Sequence, residues 1–354
     1  MNVFLFPGQG SQEVGMGADL FKSDPIFCEL VALAGGLVGE DLKAICLRGP
    51  EKKLVQTRLL QPLLVAVSLG YLRQLEERGV HPDLALGHSL GEITALAAAD
   101  VVTPPDAVRI AAKRGELMDA AAARVDGAML AVTLQDRSKL LDWLASAPCA
   151  PCAPEPARLS SPSPPHTCGG EGRGEEVPTR FMGRSSLNLS STHPVTLAND
   201  NAPTQVVLSG ERSALAACAE FIASEKLGRC RLLAVSGPWH SPFMAEAAAQ
   251  FETWLQQIPM NPPRVPMLLN ATAARADTVA NIRSQISSVL AKPVRWTGCM
   301  TALRAMNPRC LFEIGPGRVL AGLARANGFA DSARIRHVNN LRGVESAAQI
   351  TAMS

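Results

Sequence analysis

A serine between two glycines is the feature of this sequence most indicative of catalysis. Residues 87–91 read GHSLG and match the G-x-S-x-G nucleophile elbow, a tight turn that exposes the serine hydroxyl. Residues 83–86, which read DLAL, predict a buried strand before the motif, and the alanine-rich segment through residue 99 predicts a helix after it. The first backbone N–H groups of such a helix can stabilise an oxyanion. The pattern therefore predicts that Ser89 is a nucleophile.

A serine nucleophile needs a base, and the sequence contains six histidines. His240 is the best candidate, because it follows the apolar segment 232–235 across a Gly-Pro pair, where a strand end can present it to a site. His88 adjoins Ser89, but we expect the strained turn to point its ring elsewhere. No acidic residue between Ser89 and His240 stands at an obvious strand end, so a backbone carbonyl is the alternative group that would orient the imidazole.

A helix is predicted over residues 105–123, and an arginine lies on its apolar side. Arg114 falls in the middle of the stripe formed by the apolar residues of this helix, which are Ala107, Ile110, Ala111, Leu117 and Met118. Burying an unpaired guanidinium is costly, so this position requires an anion. Two kinds of anion fit: an Asp or Glu of the protein, or a substrate carboxylate, which arginine can bind in bidentate geometry.

The order of predicted elements indicates an α/β protein with a smaller inserted unit. A strand over 3–6, a helix over 59–75 and the elements around Ser89 begin the α/β pattern. It returns after residue 237 with a helix over 244–258 and strands over 265–269 and 310–314. Between them the order βαββαβ is predicted from residues 128–134, 138–145, 194–198, 205–209, 213–227 and 230–235. Residues 148–193, rich in Pro, Ser, Gly and Arg, are predicted to be a disordered insertion.

The composition excludes several classes of protein. The 354 residues are 47% hydrophobic and 19% charged, which is typical of a folded globular chain. A net charge of +2 is too small for a nucleic-acid-binding surface spread over the whole protein. No apolar run approaches the ~20 residues of a membrane helix, and the first ten residues lack the features of a secretory signal, so we expect a cytoplasmic protein. Most of the nine cysteines lie singly in apolar stretches, as buried thiols do.

Seven groups of residues resemble motifs of the malonyl-CoA:acyl carrier protein transacylases and of the acyltransferase domains of polyketide synthases. They occur in the family's order over nearly the whole chain: FPGQGSQ at 6–12, QP at 61–62, GHSLGE at 87–92, RG at 114–115, residues 199–205 followed by SG at 209–210, GPWHSP at 237–242 and EIGPG at 313–317. Together with the element order, the resemblance implies an α/β-hydrolase-like core over residues 1–126 and 237–354. A smaller ferredoxin-like (βαββαβ) subdomain would be inserted over residues 127–236.

The resemblance implies a ping-pong transfer of a malonyl group, for fatty acid or polyketide synthesis. Ser89 would attack the malonyl thioester of coenzyme A, with His240 as base and then acid. The acyl-serine would pass to the phosphopantetheine thiol of an acyl carrier protein. The family's oxyanion hole maps onto the backbone N–H groups of Gln9 and Leu90, and its arginine maps onto Arg114, which would pair with the malonyl carboxylate. No cofactor is expected, since the coenzyme A thioester is a substrate.

Further site residues follow from the same resemblance. Gln61, Asn199 and Asn201 match polar positions near the family's pocket. Where the family often has a Gln whose main-chain carbonyl orients the histidine, this chain has Val289, which would act only through its own carbonyl. Trp239 precedes the histidine, at a position where malonyl-specific relatives commonly carry Phe and methylmalonyl-specific ones Ser. The bulk of its ring argues against an α-methyl branch on the acyl group.

The carrier protein is expected to be a separate chain, because no Asp-Ser-Leu phosphopantetheine attachment site is apparent. Carrier proteins are generally acidic, and a basic cluster is a candidate docking surface: Arg180, Arg184, Lys226, Arg229 and Arg231. No nucleic-acid or membrane partner is expected. The spacing of Cys149, Cys152, His166 and Cys168 suggests zinc, but their proline-rich flanks argue against a folded four-ligand site, and no metal is predicted.

Other functions fit the same residues. A thioester hydrolase that edits carrier proteins would use the same elbow and pass the acyl group to water. A malonyl transferase of a malonate decarboxylase system would keep the chemistry and change the pathway. A carrier-docking protein without chemistry is a third possibility, against which the intact Ser89 and His240 count.

Overall fold

The computed structural model describes residues 1–146, 195–276, 278–329 and 334–352. The predicted insertion over 148–193 lies outside the described residues. The four candidate zinc ligands in it, and Arg180 and Arg184 of the basic cluster, lie outside them as well. Among the helices that the structure describes, none is both long and apolar enough to cross a membrane.

A six-stranded sheet forms the centre of the larger part of the chain. Its strands, numbered along the chain, are β1 (Asn2–Phe6), β2 (Leu84–Gly87), β7 (Met267–Leu269), β8 (Ala274–Arg275), β9 (Cys310–Ile314) and β10 (Arg334–Val338). They lie in the order β10-β9-β1-β2-β7-β8, and all neighbours are parallel except β7 and β8. The strands β1, β2 and β9 are almost entirely buried, as is usual for parallel strands covered by helices.

Helices surround this sheet. They are α1 (Leu20–Ser23), α2 (Pro25–Val38), α3 (Leu42–Arg48), α4 (Glu51–Leu54), α5 (Thr57–Glu76), α6 (Gly91–Ala98), α7 (Pro104–Ala122), α10 (Ala245–Leu255), α11 (Val279–Ser288), α12 (Trp296–Ala305), α13 (Val319–Ala324) and α14 (Leu341–Ala352), with a 3₁₀ turn at Pro242–Met244 and a π-helical turn at Arg325–Phe329. The long helices α5 and α7 pack against each other. Thr103 caps α7 by accepting a hydrogen bond from the N–H of Asp106, and prolines occupy its first turn.

A second, four-stranded sheet is built from the segment between α7 and the 3₁₀ turn. Its elements follow the predicted βαββαβ order: β3 (Gly127–Leu134), α8 (Arg137–Ser146), β4 (Thr196–Ala202), β5 (Gln205–Glu211), α9 (Arg212–Ser224) and β6 (Gly228–Leu232). The strands lie in the order β4-β5-β3-β6, and every neighbouring pair is antiparallel. A separate apolar cluster fills the space between this sheet and α9, and the rings of Trp143 and Phe221 stack with centroids 4.9 Å apart.

Two strands of the small sheet differ from their predicted bounds for identifiable reasons. The strand predicted over 194–198 continues to Ala202, because two register shifts let its polar residues keep pairing with β5. The strand predicted over 230–235 begins at Gly228 and ends at Leu232. Leu233 and Val235, which follow it, line a cavity instead. Both differences place side chains at the edge where the two sheets meet.

Two glycines allow α6 to begin directly against the ends of β1 and β2. A Cβ on Gly91 would lie 2.0 Å from the carbonyl oxygen of Phe6, and one on Gly87 would lie 1.9 Å from the carbonyl carbon of Gly91. Real Cβ atoms do not approach backbone atoms this closely, and backbone cannot move aside as a flexible side chain can. The position of α6 therefore requires glycine at both positions, because any other residue would place a Cβ in this space.

We expect Gly91→Ala to lower the free energy of unfolding by about 3 kcal/mol or more, because its methyl group would overlap the Phe6 carbonyl. Gly322→Ala is the matched control, since a Cβ there meets no atom within 4 Å, and its effect should stay within about 1 kcal/mol. Urea denaturation followed by circular dichroism measures both. Equal stability of the two variants would contradict the close approach.

Candidate active site

A cavity of about 250 Å³ lies where the carboxyl ends of β1 and β2 face the small sheet. Its walls combine the loop after β1, the turn after β2, one face of the small sheet, the segment before the 3₁₀ turn and the start of α13. The residues that line it are Gly8, Gln9, Gly10, His88, Ser89, Leu90, Arg114, Met118, Met129, Ala131, Asn199, Asn201, Gln205, Val207, Arg231, Leu233, Val235, Trp239, His240, Val319, Leu320 and Leu323. Ligands commonly bind at this edge of parallel sheets.

Ser89 stands at the turn between β2 and α6, as the motif predicts. Its φ of 52° lies in the left-handed region, which is uncommon for a residue with a side chain. Its hydroxyl lies 2.8 Å from Nε2 of His240, although 151 positions separate the two residues in the chain. The predicted nucleophile and the predicted base are therefore in direct contact.

His240 is oriented by a backbone carbonyl rather than by an acid. Its Nδ1 donates a hydrogen bond of 2.6 Å to the carbonyl oxygen of Val289, which lies at the C-terminal end of α11. This bond places the proton on Nδ1, so Nε2 is free to accept the proton of the Ser89 hydroxyl. Val289 therefore contacts His240 through its carbonyl, which is the group that the family resemblance indicated.

The imidazole of His240 is held in its neutral form. Burial lowers its pKa to about 3, and the nearby positive charge of Arg114 acts in the same direction, against the opposing effect of the bond to Val289. The ring is 4% exposed. A base that is neutral over the whole physiological pH range is ready to accept a proton.

Arg114 is buried beside the nucleophile, and in the part of the chain that the structure describes it forms no ion pair. Its side chain donates from Nη1 to Oε1 of Gln61 at 2.9 Å and from Nη2 to Oγ of Ser89 at 3.1 Å. Among the described residues no carboxylate lies within ion-pair distance of it, so the internal partner left open by the sequence is not present there. Burial lowers its pKa to about 10, which leaves it charged at neutral pH. Glu92 acts on it electrostatically, and burial raises the pKa of that carboxyl to about 8.

Gln9 and Leu90, whose backbone N–H groups are the predicted oxyanion donors, lie next to the nucleophile. Both residues line the cavity next to Ser89, and a Cβ on Gly8 would lie 2.5 Å from the carbonyl oxygen of His88 and 3.6 Å from the nitrogen of Leu90. The loop after β1 thus rests directly on the elbow. Within the described part of the chain, neither N–H donates to a protein acceptor. Two free donors beside a serine hydroxyl are the arrangement that stabilises a tetrahedral intermediate.

The remaining predicted residues lie at different distances from the nucleophile. Asn199, Asn201 and Trp239 line the cavity, and Oδ1 of Asn201 lies 2.8 Å from Nε2 of His88. Gln61 is buried outside the cavity lining and reaches the site through its bond to Arg114. The ring of His88 also faces the cavity, but it contacts Asn201 rather than the nucleophile.

The EIGPG motif supports one wall of the cavity. Glu313, fully buried at the end of β9, accepts hydrogen bonds from the N–H groups of Leu320 and Ala321 at 2.8 and 2.9 Å. A carboxylate at a helix N-terminus satisfies backbone donors that would otherwise lack partners. It fixes α13, whose residues Val319 and Leu320 line the cavity.

Sequence reasoning missed Asn270 and Glu92, both buried behind the nucleophile. Oδ1 of Asn270 accepts a hydrogen bond of 2.7 Å from the N–H of Ser89, and Oε1 of Glu92 accepts one of 2.6 Å from the N–H of Asn270. The available signal was that Asn270 directly follows the strand predicted over 265–269, a place where polar residues often serve a site.

The basic cluster is only partly described by the structure. Lys226, Arg229 and Arg231 are exposed around β6, and Arg231 lines the mouth of the cavity. Within the described ranges, no group of three or more His, Cys, Asp and Glu side chains is arranged to hold a metal ion.

Comparison with known proteins places this arrangement in a family. The family described as the acyl transferase domain matches residues 3–153. The malonyl CoA-acyl carrier protein transacylase of Bacillus subtilis is 31% identical over 322 residues, covering 91% of this chain and 89% of the relative. The polyketide biosynthesis protein ThaF of Burkholderia thailandensis is 33% identical over 328 residues, and the match spans 92% of this chain but only 24% of that longer protein.

A solved structure resembles the chain over almost its full length. It is the PlMCAT:AntF complex of a malonyl-transacylase with its type II polyketide synthase acyl-carrier protein, with a TM-score of 0.80, 29% identity and coverage of 99% of both chains. The sequence match to the Bacillus subtilis relative covers 91% of this chain, and the structural match covers 99% of it. The chain belongs to the malonyl-CoA:acyl carrier protein transacylase family.

Proposed function

We propose that this protein moves a malonyl group from coenzyme A to the phosphopantetheine thiol of an acyl carrier protein through an acyl-serine. The observation that carries the proposal is the contact of three groups: the Ser89 hydroxyl, the neutral imidazole of His240 and the guanidinium of Arg114, which has no ion-pair partner among the described residues. An activated hydroxyl next to a buried cation suits a thioester whose acyl group ends in a carboxylate.

The first half-reaction forms the acyl-enzyme. His240 Nε2 takes the hydroxyl proton as Ser89 Oγ attacks the thioester carbonyl carbon, and the resulting oxyanion accepts hydrogen bonds from the N–H groups of Gln9 and Leu90. When the carbon–sulfur bond breaks, the imidazolium returns its proton to the departing coenzyme A sulfur. Every group that this cycle uses belongs to the chain, so the proposal includes no cofactor.

The second half-reaction reverses the first with another thiol. His240 removes the proton of the phosphopantetheine thiol, the sulfur attacks the acyl-serine, and the proton returns to Ser89 Oγ. The relative solved with its acyl-carrier protein supports a separate carrier chain as the acceptor.

Arg114 is proposed to bind the free malonyl carboxylate. Its Nη2 donates to Ser89 Oγ in the structure, so binding a carboxylate would replace a neutral acceptor with a charged one. Charge-assisted bonds of this kind are about twice as strong as neutral ones. The ring of Trp239, buried in the cavity wall, leaves little room for an α-methyl branch and favours malonyl over methylmalonyl.

We also propose the finer division of the fold. The parallel order β10-β9-β1-β2-β7 supports an α/β-hydrolase-like core over residues 1–126 and 237–354. The antiparallel order β4-β5-β3-β6 with α8 and α9 supports a ferredoxin-like subdomain over residues 127–236.

Incubation with radiolabelled malonyl-CoA should leave one acyl label on Ser89, and Ser89→Ala should abolish it because no other hydroxyl contacts His240 in the described chain. Ser224→Ala, which removes an exposed hydroxyl on α9, is the control and should label normally. Label that persists in Ser89→Ala would refute the nucleophile. Release of free malonate instead of malonyl-carrier would favour the editing hydrolase.

Arg114→Ala should lower the rate of malonyl loading by an amount corresponding to about 2–5 kcal/mol, with a much smaller effect on acetyl loading, because only malonyl carries the second carboxylate. Arg109→Ala is the matched control, since Arg109 lies on the exposed side of the same helix and pairs with Asp106. Acylation rates for the two donors give the ratio. Equal losses of acylation rate for malonyl and acetyl would show that Arg114 only stabilises the structure of the site.

In the pH profile of the acylation rate, the acid limb, where the rate falls as the pH decreases, should lie well below pH 6.5. The reason is that the neutral form of His240 is the base and its pKa is lowered to about 3. Arg114→Gln removes a positive charge that lowers this pKa, so the limb should move to higher pH. Acetyl-CoA serves as donor for both enzymes, which keeps carboxylate binding out of the comparison, and circular dichroism at each pH checks folding. An unchanged limb would contradict the coupling.

A further inference from the structure

The side chain of Asn270 bridges the two peptide groups on either side of His88. Its Nδ2 donates a hydrogen bond of 2.8 Å to the carbonyl oxygen of Gly87, and its Oδ1 accepts one of 2.7 Å from the N–H of Ser89. A single carboxamide therefore holds both the end of β2 and the backbone of the nucleophile.

This bridge continues the pairing between β2 and β7 beyond the end of both strands. The two strands pair in parallel through Ala85 with Met267 and Leu86 with Leu268. Asn270 comes directly after β7. On the neighbouring strand, the chain leaves β2 at Gly87 to form the elbow, so no backbone partner is available for the next ladder bonds. The carboxamide, which has the same donor and acceptor as a peptide group, takes that place.

The elbow needs such support because its backbone is strained. Ser89 has a φ of 52°, and the left-handed region costs a residue with a Cβ about 1–2 kcal/mol. Glycine would adopt this conformation freely but has no hydroxyl. A strained conformation persists only where its surroundings hold it in place.

Asn270 is itself fixed at every polar group. Its N–H donates to Oε1 of Glu92 at 2.6 Å, its carbonyl oxygen accepts from the N–H of Arg295 at 3.0 Å, and it is fully buried. Glu92 lies in the first turn of α6, one helical turn beyond Ser89, and is 1% exposed. Its second oxygen, Oε2, has no hydrogen-bond partner among the described residues, so Oε1 alone makes the hydrogen bond to Asn270.

We propose that Asn270 is a positioning residue that holds the Ser89 hydroxyl in line with His240, and that Glu92 acts through it by accepting the hydrogen bond of the Asn270 N–H. The inference rests on the proposed function, because it takes Ser89 as the nucleophile. Neither residue contacts the reacting atoms; both act on the conformation from which Ser89 attacks. A displacement of the order of 1 Å at a nucleophile can lower a rate about 10²-fold.

Asn270→Asp is the sharpest variant, because it keeps the shape and the acceptor for Ser89 but sets an oxygen against the carbonyl of Gly87. We expect the rate of malonyl-Ser89 formation, measured by rapid quench, to fall about 10²-fold. The Kd of malonyl-CoA, measured for each variant in a Ser89→Ala background, should change less than threefold. The loss then lies in the acylation step and not in binding.

Gln74→Glu is the control for general destabilisation. Gln74 is a buried amide that donates to Asp24 far from the cavity, so the same amide-to-carboxylate change places a like charge in the interior without touching the elbow. It should lower the melting temperature and leave the acylation rate of the folded enzyme unchanged. If Asn270→Asp loses rate only in proportion to its unfolded fraction, or acylates like the unmodified protein, the positioning role is wrong.

The Glu92 variants test the second part and replace Asn270→Asp if that variant does not fold. Glu92→Gln keeps an acceptor for Asn270 and should acylate within threefold of the unmodified protein, whereas Glu92→Ala should lose about as much rate as Asn270→Asp. Equal rates for Glu92→Gln and Glu92→Ala would overturn the role of Glu92. Failure of the unmodified protein to label Ser89 would overturn the proposed function instead, and the two failures are therefore distinguishable.

Discussion

The guanidinium of Arg114 is buried, with only neutral groups bound to it in the described chain. A buried charge without a counterion is costly, so this part of the molecule is more stable with an anion present than without one. The same charge lies close enough to His240 to help keep that base neutral. In the proposed function, one positive charge therefore both selects the acyl group and helps to keep the base neutral, and the guanidinium that carries it contacts Ser89.

A second constraint is the crowding at the ends of β1 and β2. Ser89 and His240 both have φ values in the left-handed region, 52° and 58°, and both need side chains for the chemistry, so neither position can be glycine. The strain at Ser89 is offset by the close packing of α6 at Gly87 and Gly91 and by the hydrogen bonds from the Asn270 side chain. At His240 the bond to Val289 fixes the ring. Several contacts therefore hold the strained residues in place.

Much of the fold followed from local patterns. The strand–turn–helix around Ser89 and the βαββαβ order were readable because apolar periodicity and glycine turns are local signals. No helix was predicted for α1 to α4 or for α11 to α14, and of these α1, α3 and α4 have only four to seven residues. Elements this short contain too few apolar repeats to show a period, and the caps at Asp19 and Asp41 that fix α1 and α3 are single residues.

The sequence by itself determined which side chains have the chemistry: a serine on a glycine turn, a histidine after a strand and an arginine within an apolar helix stripe. The tertiary structure decided which of these side chains come into contact. The contact of Ser89 with His240 spans 151 positions, and the carbonyl of Val289 orients the ring through an atom that every residue possesses, so no local pattern encodes either. The contact of Arg114 with Ser89 and the bridge made by Asn270 likewise depend on which distant segments the two sheets bring together.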